Sequence, residues 1–287
     1  MSVPTDRTGP PNVRLNLSNR PENVTLVRQM LAGLADAIPL DHRDLADISI
    51  AVSEACNNVV LHAYDGEEGP LVTDVHLRSG EIEIVVRDHG DGIASPPSST
   101  EESTGLGISV IEALAGRAEF RDSPGSGTEV RMSFAVPGVQ ESQVLVEEGP
   151  PQPATVEAEP ASTMELLIAP APLAGSILPR LLSVLAARAN FRTDRIAELR
   201  VVADALTADV PRLINGTYLN IAVSVRPRDL EMRIAPLRSG QAARIMVDSA
   251  RDGVSPAFGQ LADEHRVLSL DSSSEAEMLA VRLVDRR

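Results

Sequence analysis

The sequence predicts an α+β fold, a two-layer α/β sandwich with helices over a sheet, and a degenerate copy of the same pattern in tandem. Three observations carry this. Apolar residues recur at helical spacing in two consecutive stretches near the N-terminus. Strands that alternate apolar and polar residues follow them, joined by tight turns. A similar order of elements returns in the second half of the chain. Helices and strands that do not alternate strictly point to an antiparallel or mixed sheet covered on one face by helices.

The elements justify themselves in order. Residues 21–38 place Val24, Val27, Leu31, Leu34 and Ile38 on one helical face, and residues 45–63 do the same with Leu45, Ile48, Val52, Ala55 and Val59. Leu71, Thr73, Val75 and Leu77 alternate along a strand, Ser79-Gly80 supplies a turn, and Ile82, Ile84 and Val86 return, which makes a hairpin. A polar loop leads to GISVIEALAG, a short helix, and then to the strands RAEFRD and TEVRMSF around SPGSG.

Composition sets the domain plan. With 287 residues and 43% hydrophobic content, two ordinary cores are expected rather than one. They divide at residues 137–163, an acidic Pro-rich linker without periodicity, and residues 1–12 read as a disordered leader. That leaves domains at 13–136 and 164–287. A net charge of -15 and 2% aromatics disfavour nucleic-acid binding. The single cysteine, and the lack of a signal segment or a membrane-length apolar run, predict a cytoplasmic protein away from membranes. Every cationic residue other than histidine is an arginine; the chain has no lysine.

The second helix carries chemistry as well as core. Glu54, Asn58 and His62 stand at i, i+4 and i+8 and form one polar stripe. A carboxylate and an amide a turn apart suit a magnesium ion that keeps its waters, although a polar stripe alone is ordinarily solvated surface. The strand EIEIVVR runs into Asp88-His89-Gly90-Asp91-Gly92, where glycines let the backbone approach a flat ligand while the acid accepts from an amine. Gly105-Leu106-Gly107 then opens a helix whose first amides can meet a phosphate chain. Gly127-Thr128 enters the last strand of this half. Each has a plain reading as turn, loop or strand; their order is what is specific.

Taken together, these motifs and the stretch SEACNN…HAY make residues 12–136 resemble the ATP-binding domain shared by histidine kinases, gyrase and MutL, the GHKL superfamily with its Bergerat-type fold. Within that group they are most similar to the anti-sigma-factor serine/threonine kinases. The resemblance implies ATP and Mg2+ as cofactors. It implies Glu54 as the catalytic acid, Asn58 as the magnesium amide and Asp88 as the acceptor for the adenine amine. Gly90 and Gly92 would shape the adenine wall, Gly105 and Gly107 the phosphate loop, and Thr128 would offer a hydroxyl near adenine. The implied partners are a sigma factor, which the protein would sequester, and an anti-anti-sigma antagonist, whose serine or threonine it would phosphorylate. A homodimer is allowed.

Two features depart from that pattern. Glu101-Glu102 precede the phosphate loop, where some of these kinases carry a basic residue, and acids there oppose the γ-phosphate. That leaves a second reading open, a nucleotide-dependent protein-interaction switch without phosphoryl transfer. An isolated histidine-kinase catalytic domain fits less well, since no helical dimerisation segment with an acceptor histidine is visible. In the second half, alignment by register puts Asp204 opposite Glu54, Ala208 opposite Asn58 and Pro236 opposite Asp88, with a final helix near Ser255–Gly259. A domain with no nucleotide site, serving as a docking or dimerisation surface, is expected there.

Overall fold

Asp41 opens the longest helix of the N-terminal half, its carboxylate accepting from the amides of Arg43 and Asp44 at 2.8 Å each. In the computed structural model, which describes residues 9–90, 104–123, 127–139, 163–248, 261–270 and 276–286, this half runs β1 (Val13–Ser18), a 3-10 turn, α1 (Val24–Ala37), α2 (His42–His62), β2 (Pro70–Arg78), β3 (Glu81–Arg87), α3 (Thr104–Leu114), β4 (Arg117–Ser123) and β5 (Gly127–Ala135). The other half runs β6 (Met164–Ile168), a 3-10 turn, α4 (Ala174–Arg188), α5 (Thr193–Leu213), β7 (Leu219–Arg226), β8 (Asp229–Arg238), α6 (Gln241–Asp248), β9 (Glu264–Ser269) and β10 (Ala276–Val284). The α+β class holds, and every pairing among the described strands is antiparallel.

The described strands form a single sheet of ten, ordered β4-β5-β3-β2-β1-β6-β7-β8-β10-β9. Each half contributes its strands in mirrored order, and β1 and β6 join them edge to edge. The centre of that junction is Leu15 opposite Leu166. The two leucines hold corresponding places, because Val13, Leu15 and Leu17 are buried on β1 as Met164, Leu166 and Ile168 are on β6. The halves therefore meet about a local two-fold axis. Neither β1 nor β6 was anticipated from sequence. The described helix α6 also lies before the expected position at 255–259, which falls outside the described residues.

Alternation sorts the sheet's faces. Leu71, Val75, Ile82, Ile84, Val86, Val130 and Met132 turn toward α1 and α2 and share one continuous core with the helices of both halves. The opposite face carries ion pairs: Arg14 on Asp74 at 2.6 Å, Arg87 on Asp74 and on Glu129, and Arg131 on Glu83 at 2.8 Å. Desolvation alone would raise the Glu129 carboxyl, but hydrogen bonds from Arg87 and Arg131 outweigh it and hold it below the usual range. Above the junction α1 packs on α4. Gly33 makes this approach possible, since a Cβ there would lie 2.6 Å from the backbone oxygen of Ser176. Arg180 spans the two helices to Asp36 at 2.5 Å.

Burial corrects one alignment. On α2 the buried positions are Ile48, Ala51, Val52, Ala55 and Cys56; on α5 they are Leu199, Val202, Ala203, Leu206 and Thr207, with the same spacing. Ala205, not Asp204, thus corresponds to Glu54, and Asp209, not Ala208, to Asn58. The α1–α2 and α4–α5 connections, 38–41 and 189–192, are equally long, and one offset relates β1 to β6, α1 to α4 and α2 to α5. On β8 the buried Leu230, Met232 and Ile234 match Ile82, Ile84 and Val86, which keeps Pro236 opposite Asp88.

Candidate nucleotide site

The site forms where α2, the end of β3, the start of α3 and the start of β5 converge. Glu54 and Asn58 are half-buried on α2, one turn apart on the same face. Gly107 of α3 lies directly beside them: a Cβ on it would stand 3.3 Å from Glu54 Oε2 and 3.6 Å from Asn58 Oδ1. Gly105 and Gly107 both lie in the first turn of α3, whose leading amides have no intrahelical partners.

Asp88 follows β3 and is 4% exposed. Its Oδ1 accepts from Gly90 N at 2.9 Å and Thr128 N at 3.0 Å, and its own amide donates to Thr128 O at 3.1 Å. Among the described residues Oδ2 accepts no hydrogen bond, so one oxygen fixes the carboxylate and the other is left to a ligand. Gly90 has to be glycine, because a Cβ would meet Ala63 O at 1.8 Å. Gly127 is as tightly constrained, with φ +82° and a Cβ position 2.2 Å from Asp88 O.

Of the residues expected from sequence, Asp88, Gly90 and Thr128 come together at one end of α2, and Glu54, Asn58 and Gly107 along its middle. Asn58 and Ala63, five residues apart, are separated by about 7.5 Å along the helix, so α2 links both groups. Thr128 meets Asp88 through its backbone rather than its hydroxyl. Gly92, Glu101 and Glu102 lie outside the described residues. Sequence reading named Gly127 and quoted Tyr64 within its motif but gave neither a role in the site. The Tyr64 hydroxyl accepts from His89 N at 2.8 Å and donates to Pro70 O at 2.6 Å. The HAY triplet and the glycine before Thr128 were the available signals.

Cys56 lies on the opposite, buried side of α2; burial pushes its thiol up to about 12, with the Thr73 hydroxyl opposing the shift. It is core, not chemistry. A cavity of about 770 Å³ opens elsewhere, at the junction of the halves, where Arg20 is engaged by Glu68 and Arg188 by Asn23 and Glu22. Among the described residues no group of three or more His, Cys, Asp or Glu could hold a metal ion, and no helix is long and apolar enough to cross a membrane.

Comparison with known proteins decides the family. The histidine kinase-like ATPase domain matches residues 17–134, which contain all of these site residues. An anti-sigma F factor of Thermoanaerobacter sp. (strain X514) is 32% identical over 130 residues, covering 42% of this chain and 91% of that protein. The chain belongs to the histidine kinase-like ATPase family. Serine-protein kinase RsbW of Halalkalibacterium halodurans is 32% identical over 129 residues, 40% of this chain and 79% of that protein. RsbW of Bacillus velezensis is 30% identical over 135 residues, 42% and 83% respectively. Within this ATPase family, then, the chain is similar to proteins named as anti-sigma factors and serine kinases, and the matched region is its N-terminal half.

Proposed function

We propose that the protein is an ATP-binding anti-sigma regulator that phosphorylates a serine or threonine of an antagonist protein and sequesters a sigma factor when that antagonist is absent. The observation that carries the reading is the placement of Gly107, at the start of α3, against Glu54 and Asn58. On this reading the first turn of α3, whose amides would meet the phosphates, lies beside a base and a metal-binding amide. Asp88 Oδ2 would accept from the 6-amino group of adenine, and Asn58 Oδ1 would hold Mg2+. The ion, when bound, supplies positive charge to the phosphates.

Glu54 takes the proton from the acceptor hydroxyl as its oxygen bonds to the γ-phosphorus. The bond to the bridging oxygen breaks, its electrons leave with ADP, and Glu54 is left protonated. Incubating the full-length protein with γ-labelled ATP and lysate of its source organism should label a protein on serine or threonine, and Glu54→Gln should not. The acids Glu101 and Glu102 favour a second reading, a switch that binds nucleotide without transfer. Nucleotide binding without any labelled protein would select it.

The C-terminal half we read as a degenerate copy that docks or dimerises and takes no nucleotide. Support comes from the repeated element order, the mirrored strand order and the matched burial. Ala205 and Pro236 replace the base and the adenine acceptor. At the start of α6, moreover, the buried Glu277 carboxylate accepts from Gly240 N at 3.0 Å and Ala242 N at 2.5 Å, so that helix end is already filled by an anion.

A further inference from the structure

Asp88 can accept an adenine amine only if the backbone after it is fixed, and the fixing is done from α2. Two contacts tie the His89-Gly90 segment to the residues just past that helix. Gly90 rests on the carbonyl of Ala63, and the His89 amide donates to the Tyr64 hydroxyl. Tyr64 is itself held: its hydroxyl donates to Pro70 O at the start of β2, and Gly69 packs so closely on the ring that a Cβ would lie 2.2 Å from it. The hydroxyl therefore uses donor and acceptor at once, which a phenol does only while protonated. Burial, with the charge of Asp88 adding to it against the His89 hydrogen bond, raises the Tyr64 phenol and keeps the proton in place.

We propose that Tyr64 is a positioning residue for base recognition: its hydroxyl sets the His89-Gly90 backbone so that the Gly90 amide occupies Asp88 Oδ1 and leaves Oδ2 aimed at the 6-amino group of a purine nucleotide. This rests on the nucleotide-site reading above and adds to it a link between the helix that carries Glu54 and Asn58 and the selectivity for adenine. Tyr64 touches no substrate. Its effect runs through two backbone amides and one carboxylate.

The test compares ATP with inosine triphosphate, which has a 6-oxo group and cannot donate to Asp88, on the full-length protein and on Tyr64→Phe. Losing one hydroxyl that makes two hydrogen bonds should weaken ATP binding about three- to ten-fold. Inosine triphosphate binding should change by less than about two-fold, since that ligand never used the aligned oxygen. Turnover at saturating ATP should be unchanged, and the His89 amide should lose hydrogen-exchange protection. An equal loss for both nucleotides, or an unchanged preference for ATP, would overturn the role of Tyr64 while the site reading stands. If the unsubstituted protein does not prefer ATP over inosine triphosphate, the assignment of Asp88 itself fails, and the inference goes with it. A second variant, Gly90→Ala, disturbs the same segment from the Ala63 side and should narrow the same preference; its failure to do so would also count against the proposal.

Discussion

At the end of β3 a buried aspartate carries two backbone amides on one oxygen; at the same place on β8 the chain has Pro236, which brings no carboxylate. Midway along α2 an acid faces the start of α3, and at the corresponding turn of α5 there is Ala205. Yet the positions buried beneath these residues have the same spacing in both halves. A core tolerates little change in volume or pattern, because interiors are close-packed and cavities or overpacking cost kilocalories. A ligand-binding residue carries no such burden once its ligand is gone. On the proposed reading of the C-terminal half, the difference between the halves separates what the fold needs from what the nucleotide needs.

The largest expected effect tests the chemical side of that separation. Glu54→Gln should lower phosphoryl transfer by about 10²- to 10⁴-fold with nucleotide affinity nearly kept, since the amide keeps the shape but takes no proton. Ala205→Glu in the other half should restore nothing. Turnover in Glu54→Gln at the original rate would remove Glu54 from the mechanism. Next comes the adenine contact. Asp88→Asn should weaken ATP binding by about 1.5–3 kcal/mol, the worth of a hydrogen bond to a charged group, as measured by calorimetry. Changes at Pro236 should leave ATP binding untouched, and an effect there would break the claim that this half holds no site.

How much of this was legible in the sequence depended on distance along the chain. Helices and hairpins could be read, and Asp88, Glu54, Asn58 and Gly107 singled out, because periodicity and motif spacing are local signals. β1 and β6 were missed because VRLNLS and MELLI are short, adjoin segments that look unstructured, and gain their meaning only from partners far away in sequence. Those two strands turn two sandwiches into one ten-stranded sheet. Tyr64 was quoted within its motif but given no task, for its partners His89 and Pro70 belong to other elements. The one-residue slip on α5 arose because the offset between the halves is set from β1 and β6 onward, Val13 answering to Met164, and neither strand was read from the sequence.

The junction offers a test of the scaffold side. Gly33→Ala should destabilise the protein by about 1–3 kcal/mol, because the methyl has to displace backbone on α4. Elsewhere on α4, Ser183→Ala removes only a bond to Pro179 O within the same helix and should cost less than about 1 kcal/mol. Denaturant melts of both variants measure the asymmetry. Equal effects would mean that the close approach at Gly33 relaxes freely.

The smallest effect concerns the uncovered face of the sheet, where His76 is directly opposite Glu83 on the neighbouring strand, as Ser224 is opposite Glu231 in the other half. Burial is the main influence on His76 and lowers its pKa to about 4 from the usual 6.5; Asp74 opposes this, while Arg78, Arg87 and Arg131 add to it. Among the described residues its Nε2 has no hydrogen-bond partner. A histidine kept neutral in the folded state adds stability above its unfolded pKa and loses it as the unfolded chain takes up a proton, so the loss falls between pH 6.5 and 4. Between pH 7.5 and 5.5 the cost should be about 1 kcal/mol. Glu129, held low by Arg87 and Arg131, works in a lower window, its contribution vanishing only as pH falls below the ordinary glutamate range. Denaturant melts of the protein and of His76→Gln at several pH values separate the two. The substitution should flatten the upper window and leave the lower one. Identical slopes would show that His76 is protonated in the folded sheet with little penalty, and that the uncovered face is wetter beside β2 than the burial of His76 implies.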